Sequence, residues 1–224
     1  MHGSRSLEGT RLQICDLTRS LIWRASRAHL EYTLVRLIAR SVWLVGLSGG
    51  GKSTVGPFLA DRLGFQFFDL DSVAQELAND TIPGLFRAGG ESHFRKIEAS
   101  ASGVLQQKHE VVVATGGGWM VRNDISKIWE GCIRVWLRVS PEVAIHRLGK
   151  DVGTLRPMLA GSEPLSALKG MLLLREGAYA EAEIEVDTVG RRPEEVAEVI
   201  HHRLLGDDPE SVTSNLKEEF GKNT

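Results

Sequence analysis

Short apolar runs alternate with longer amphipathic stretches from residue 41 onward. Each stretch between two runs is long enough for a helix that crosses back over a sheet. Strands that alternate with helices form parallel sheets covered on both faces. The pattern therefore predicts an α/β fold, with a mostly parallel five-stranded sheet flanked by helices. The predicted strands are SVWLV (41–45), FQFF (65–68), VVVAT (111–115), IRVWL (133–137) and IEV (184–186).

Two of the predicted helices have well-marked first turns. Ser140 directly precedes Pro141, and Pro193 is followed by two glutamates. Serine caps the first turn of a helix, and proline fits the first helical position because its missing N–H would have no partner there. Acidic side chains are favourable near a helix N-terminus. We therefore expect helices to begin at Pro141 and Pro193.

The two ends of the chain differ in composition from its centre. Residues 1–40 contain seven arginines, no lysine and three acids, and residues 206–224 are mostly polar. An arginine-rich, acid-poor leader is typical of transit peptides, but the segment also has the spacing of an amphipathic helix. An over-extended start site is a third interpretation. We expect a domain of residues 41–205, an N-terminal extension of residues 1–40 and a disordered tail of residues 206–224.

The composition of the chain argues against nucleic acids and membranes as its partners. The formal net charge of −2 over 224 residues argues against a general nucleic-acid binder. No apolar run approaches the roughly 18 residues of a membrane span. Cys15 and Cys132 have no metal-ligand spacing and favour a reducing compartment. We expect a monomer that acts on small molecules in the cytoplasm, or in a plastid if residues 1–40 are a transit peptide.

The first predicted strand leads directly into a glycine-rich loop. Residues 46–54, GLSGGGKST, fit the pattern G-x-x-x-x-G-K-[ST]. In this pattern backbone N–H groups cradle phosphates, the lysine reaches the β- and γ-phosphates, and the serine hydroxyl binds Mg²⁺. A dinucleotide-binding G-x-G-x-x-G pattern does not fit, because residue 54 is threonine. We expect a three-layer P-loop NTPase fold whose ATP-binding residues include Gly49, Gly50, Gly51, Lys52, Ser53 and Thr54.

Two acids and three glycines follow the next two strands. Asp69 and Asp71 leave the second predicted strand, and Gly116, Gly117 and Gly118 leave the third. Ligands of open parallel sheets bind beyond the carboxyl ends of the strands, so both sets should share an edge with the phosphate loop. Side chains two apart on an extended segment point the same way, and bare backbone lets a substrate lie against it. The alternatives are a helix cap at Asp71 and a flexible turn at the glycines.

Three arginines suggest the kind of acceptor. Arg95 lies three residues before Glu98 on a predicted helix, Arg156 lies in a predicted mobile lid of about residues 149–163, and Arg175 lies among apolar residues. Singly, each arginine suits a structural role such as a surface ion pair. Together with the phosphate loop and the glycines, they indicate a small substrate with a carboxylate, which arginine binds through two parallel hydrogen bonds.

From about residue 41 to residue 205 the chain resembles the shikimate kinases. The resemblance covers roughly three quarters of the chain, and its motifs occur in the order of the family. They are GLSGGGKST, FFDLD, GESHFRKIE, ATGGG, LRPMLAG, LLLREGAY and VDTVGRRP.

The resemblance implies transfer of the γ-phosphoryl group of ATP to the 3-hydroxyl of shikimate, on the route to chorismate and the aromatic amino acids. It implies that Asp71 holds the ring hydroxyls and orients or deprotonates the attacking one. Arg95 and Arg175 would bind the carboxylate, and Gly117 would contact the substrate through its backbone.

The resemblance also implies roles around the nucleotide. Arg156 would meet the transferring phosphoryl group, Asp69 would reach Mg²⁺ through water beside Ser53, and Arg191 would flank the adenine. Arg147 precedes Arg156 by nine residues, a longer spacing than is usual in the family, so its contact with adenine stays open.

Two other functions share parts of this pattern. A gluconate-type or nucleotide kinase would have the same loop and general fold, but it would not need the glycine triplet together with Arg95 and Arg175. A catalytically silent relative would usually lack the lysine, the aspartate or a carboxylate-binding arginine, and all of these are present here.

Overall fold

Five strands form a parallel sheet in the computed structural model, which describes residues 41–121, 132–149, 159 and 163–206. Their order across the sheet is β2-β3-β1-β4-β5, so β1 lies at the centre. This confirms the predicted sheet. The strands are β1 (Ser41–Val45), β2 (Gln66–Asp69), β3 (Val111–Ala114), β4 (Cys132–Arg138) and β5 (Ile184–Asp187).

Helices connect the strands and cover both faces of the sheet. The predicted helix starts at Pro141 and Pro193 are confirmed, and the Ser140 hydroxyl accepts a hydrogen bond from the Val143 N–H at 3.3 Å. No helix within the described ranges has the length and apolarity needed to cross a membrane. The helices are α1 (Lys52–Leu63), α2 (Leu70–Ala78), α3 (Ile82–Gln106), α4 (Pro141–Leu148), α5 (Pro164–Tyr179) and α6 (Pro193–Leu204), with a 3₁₀ turn at Trp119–Val121.

The central strand β1 is buried on both faces, which explains its continuous apolar sequence. Val42 and Leu44 pack with apolar residues of α1 and α6 on one face. Trp43 and Val45 pack with α2, α3 and α5 on the other, where the Trp43 ring stacks on Trp119 at 4.8 Å between centroids. The result is the predicted three-layer arrangement of helix, sheet and helix.

Helix α3 bends in its first half. Gly90 has a φ of +66°, which an L side chain rarely adopts, and the neighbouring Gly89 also leaves the helical conformation. The bend brings the rings of Phe86 and Phe94, which lie on either side of it, to 5.1 Å between centroids. After the bend, Arg95 and Glu98 of α3 lie beside the glycines that follow β3, where the site described below is found.

Gly56 in α1 provides a test of the packing between α1 and β2. A Cβ atom at Gly56 would lie 2.1 Å from the ring of Phe67. Alanine is about 1 kcal/mol better than glycine inside a helix. We nevertheless expect Gly56→Ala to destabilise the domain by about 1–3 kcal/mol, because the added methyl displaces the ring. Urea denaturation of Gly56→Ala, Phe67→Ala and the double variant measures the coupling free energy between the two positions.

In the Phe67→Ala background the same change should become neutral or stabilising. Gly103→Ala in α3 is the matched control, because a Cβ there meets nothing within 4 Å. It should stabilise the domain by up to about 1 kcal/mol. An equal cost of Gly56→Ala in both backgrounds would show that the Phe67 ring does not limit this position.

Candidate active site

Two adjoining cavities open at the carboxyl edge of the sheet. The loop cavity, of about 400 Å³, lies beside the glycine-rich loop. The glycine cavity, of about 300 Å³, lies beside Gly116–Gly118. Asp71, Arg147 and Leu148 line both. A ligand in one cavity can therefore meet a ligand in the other across the wall that these three residues form.

The glycine-rich loop joins β1 to α1 as predicted. Gly49 has a φ of +83°, and a Cβ there would lie 2.6 Å from the Ala144 carbonyl oxygen, so only glycine fits. The N-cap residue Gly51 has no side chain to cap the first turn of α1. The Lys52 ammonium is buried beneath the loop and donates to the carbonyls of Gly46 and Leu47 at 2.9 Å each. A helix N-terminus of this kind binds anions.

Ser53 and Asp69 form an oxygen pair at the edge of the loop cavity. The Ser53 hydroxyl donates to Asp69 Oδ2 at 2.5 Å. Mg²⁺ prefers hard oxygen ligands and keeps several waters, so one hydroxyl and one carboxylate suit it when a nucleotide supplies phosphate oxygens. No group of three or more histidine, cysteine, aspartate or glutamate side chains suited to a metal occurs among the described residues. These two residues therefore fit the predicted metal site, with few protein ligands.

Asp71 lies in a helix and not on an extended segment, so the expected strand geometry is wrong. Strand β2 ends at Asp69, and α2 begins at the next residue. The Asp69 carboxylate caps α2 by accepting the Asp71 N–H at 3.0 Å. Asp71 occupies the first turn and is therefore not the cap. Its side chain still reaches the wall shared by both cavities, as the edge of a parallel sheet predicts.

The glycine triplet lies against charged side chains of α3. At Gly116, a Cβ would lie 2.6 Å from Glu98 Oε1. At Gly118, it would lie 2.6 Å from Arg95 Nη2. From the sequence, these glycines were explained by the approach of a substrate, with a flexible turn as the alternative. The packing of α3 against the β3 end is a second reason why side chains are excluded there.

Arg95 and Glu98 form the ion pair that their spacing on α3 predicted, but the pair is not a surface pair. Glu98 is 0% exposed, and its Oε2 lies 2.8 Å from Arg95 Nη1. Glu91 accepts two more hydrogen bonds from the same guanidinium. Burial lowers the pKa of Arg95, but Glu98 and Glu91 outweigh it and raise the pKa above its ordinary value. Arg95 is thus a fixed cation on the wall of the glycine cavity.

Arg175 projects from α5 into the same cavity. Its Nη1 donates to the Gly117 carbonyl at 3.0 Å, which leaves other donors of the guanidinium for a ligand. Arg95 and Arg175 come from different helices, and the glycine triplet contacts both. Two cations on one wall can bind an anion such as a carboxylate.

The nucleotide side contains two further arginines. Arg191 lines the loop cavity together with Pro193, and its predicted contact with adenine stays a prediction. Arg147 donates to the Thr188 carbonyl at 2.7 Å, to its hydroxyl at 2.9 Å and to the Gly49 carbonyl at 3.4 Å. It therefore connects the phosphate loop to the segment after β5. Arg156 and most of the predicted lid lie outside the described residues.

Several residues of the site were not identified from the sequence. Thr188 was not singled out, although it stands in the VDTVGRRP motif. The apolar wall of the glycine cavity also went unnoticed, because its members come from separate elements and have no common spacing. They are Ile82, Phe86, Phe94, Leu159 and Met171.

Known proteins with similar sequences share most of the length of this chain. The family model for shikimate kinase matches residues 48–205. The shikimate kinase of Synechococcus sp. (strain RCC307) is 40% identical over 172 residues, which cover 76% of this chain and 87% of that protein. The shikimate kinase of Moorella thermoacetica is 37% identical over 165 residues, covering 73% and 94%.

Solved structures give the same result. Shikimate kinase from Acinetobacter baumannii, in complex with shikimate, superposes with a TM-score of 0.72 at 30% identity, covering 75% of this chain and 94% of that one. A gluconokinase from Sinorhizobium meliloti has a TM-score of 0.50 at 20% identity, which shows a common fold alone. The chain therefore belongs to the shikimate kinase family, whose members are ATP-dependent kinases.

Proposed function

We propose that this kinase transfers the γ-phosphoryl group of ATP to the 3-hydroxyl of shikimate, giving ADP and shikimate 3-phosphate. The observation that carries the proposal is the arrangement of the two cavities. Arg95 and Arg175 line the glycine cavity, the phosphate loop lines the other, and Asp71 stands on the wall between them. An acceptor whose carboxylate meets the arginines can present a hydroxyl to Asp71.

The shape and lining of the glycine cavity favour a cyclic acid over an open-chain acid. Its volume of about 300 Å³ suits a single small ring. Phe86, Phe94 and Met171 supply an apolar wall beside the charged groups. The cyclohexene ring of shikimate has a carbon face for that wall and a carboxylate for the arginines. An open-chain polyol acid such as gluconate would leave the wall poorly covered.

Phosphoryl transfer depends on positioning and on neutralisation of charge. We propose that Lys52 and the loop N–H groups bind the phosphates, and that Asp71 orients or deprotonates the attacking hydroxyl. Ser53, and Asp69 through water, would hold Mg²⁺. When bound with ATP, this ion neutralises charge on the β- and γ-phosphates. Arg191 would flank the adenine, and Arg156 of the lid would meet the transferring group.

Water must be kept from the γ-phosphate, since it would compete with the acceptor hydroxyl. We infer that the lid of about residues 149–163 closes over both cavities, because α4 ends at their shared wall and leads into it. We further propose that the enzyme works as a monomer in the cytoplasm, or in a plastid if residues 1–40 direct it there. Residues 206–224 would be an appendage outside the catalytic domain.

An ADP-release assay with separate acceptors tests the proposal directly. Shikimate should support turnover, whereas gluconate and nucleoside monophosphates should not. Turnover with gluconate and not with shikimate would show that the chain is a gluconate-type kinase instead. Binding of shikimate and ATP without turnover, in the presence of Mg²⁺, would indicate the catalytically silent relative.

Asp71→Asn separates the acceptor role from a metal role. The change keeps the size of the side chain but removes its charge and its capacity to take a proton. We expect kcat to fall by about 10² to 10⁴, the usual range for loss of a general base, while Mg²⁺·ATP affinity is kept. Titration with Mg²⁺·ATP beside steady-state rates measures both quantities. Asp61→Asn, at an exposed site on α1, is the matched control and should change neither.

The opposite pattern would reassign Asp71. If Asp71→Asn weakened Mg²⁺ binding while kcat at saturating metal stayed normal, Asp71 would be a metal ligand and Asp69 would not be sufficient.

Arg95→Ala and Arg175→Ala test the carboxylate site. Loss of one partner of a buried charged contact costs about 2–5 kcal/mol, so the KM for shikimate should rise roughly 30- to 5000-fold. The KM for ATP should change little, because neither arginine lines the loop cavity. Arg87→Ala, an exposed site on the same helix as Arg95, is the control and should leave both constants near wild type. A rise in the ATP constant with an unchanged shikimate constant would place the carboxylate elsewhere.

A further inference from the structure

Two side chains of α5 donate to the same backbone oxygen. The Gly117 carbonyl accepts one hydrogen bond from Arg175 Nη1 at 3.0 Å and another from the Tyr179 hydroxyl. Arg175 and Tyr179 stand four residues apart, so they project from the same face of the helix. Tyr179 is 1% exposed and does not line either cavity, whereas Arg175 does. The tyrosine hydroxyl therefore reaches the site through the Gly117 carbonyl and through the adjacent Arg175 guanidinium.

This shared carbonyl fixes the peptide that joins Gly117 to Gly118. A carbonyl oxygen has two lone pairs, and here both donors come from one rigid helix. Because the peptide unit is planar, holding the carbonyl also sets the direction of the following N–H. On its other side the glycine approaches the phosphate loop, where a Cβ would lie 3.2 Å from the Ser48 hydroxyl. The triplet is thus held between α5 and the loop.

We propose that Tyr179 is a positioning residue for the acceptor: its hydroxyl holds the Gly117 carbonyl, and that carbonyl aligns the Arg175 guanidinium for the acceptor carboxylate. The proposal rests on the proposed function of Arg175, and it adds a residue that does not touch the substrate. Without the hydroxyl, the Gly117 carbonyl would keep its hydrogen bond from Arg175 but lose the second one, and the carbonyl and the guanidinium could shift together away from the acceptor.

The phenol can serve this purpose throughout the neutral range of pH. Burial raises the pKa of Tyr179, and the nearby Arg175 only partly opposes that rise, so the hydroxyl keeps its proton. The aromatic ring has a separate role in packing, because its centroid lies 5.8 Å from that of Trp136. Removal of the hydroxyl alone therefore leaves the packing of the ring in place.

Tyr179→Phe is the informative variant. We expect the KM for shikimate to rise about 5- to 20-fold, because a buried hydrogen bond to the carbonyl is lost and Arg175 is less well aligned. The KM for ATP should stay within twofold of wild type. Thermal unfolding is followed in parallel. Leu172→Ala is the matched control, since Leu172 packs in the core from the same helix and lines neither cavity.

Leu172→Ala should lower the unfolding midpoint at least as far as Tyr179→Phe while the shikimate KM stays within twofold of wild type. If it raised that KM as much as Tyr179→Phe does, the effect would come from a weakened helix, and the positioning role would be overturned. An unchanged shikimate KM in Tyr179→Phe would overturn it as well.

A double variant with Arg175→Lys tests whether Tyr179 acts through the arginine. In that background Tyr179→Phe should raise the shikimate KM less than twofold, because the group that it aligns is gone. An equal factor in both backgrounds would mean that the tyrosine acts independently, against the proposal. If the wild type accepted gluconate and not shikimate, the proposed function would fail, and the same comparisons with the gluconate KM would still decide the role of Tyr179.

Discussion

The charged wall of the glycine cavity depends on one fully buried carboxylate, that of Glu98. Burying a charge without a partner is costly, so the Arg95 guanidinium beside it has little freedom to leave. Gly116 must lack a side chain because the carboxylate occupies the space that a Cβ would need. The bend at Gly90 sets the course of the helix that carries both charges. The packing of the buried pair thus fixes the position of Arg95, the arginine that we propose binds the acceptor carboxylate.

The nucleotide side is organised by the parallel sheet. All strand carboxyl ends meet at one edge, so the loop after β1, the first turn of α2 after β2 and the glycines after β3 are brought together without long connections. The start of α2 immediately after β2 turns Asp71 toward both cavities, while Asp69 stays beside Ser53. One short segment therefore places one carboxylate beside Ser53 and another on the wall that the two cavities share. Arg147 then connects this edge to the segment after β5.

The features that could be predicted from the sequence are those set by residues next to one another in the chain. The strands followed from their apolar runs, and the helices at Pro141 and Pro193 followed from capping residues next to them. The loop was recognisable because its glycines, lysine and serine are contiguous. The conformation of Asp71 could not be predicted, because β2 passes into α2 without a turn residue. The contact of Arg147 with Gly49 joins residues 98 apart, and no local pattern records such a pair.

Arg95 and Arg175, the two arginines of the glycine cavity, are held by different kinds of partner, so we expect them to act differently on a ligand. Arg95 forms ion pairs with Glu98 and Glu91, so these neighbouring carboxylates already neutralise much of its positive charge. Arg175 donates to a neutral carbonyl, which orients the guanidinium without cancelling its charge. We therefore expect a carboxylate in the glycine cavity to be attracted mainly by Arg175, while Arg95 supplies donors in a fixed direction. The position of the Gly117 carbonyl matters for that reason, because this carbonyl orients Arg175, the arginine whose charge no carboxylate among the described residues balances.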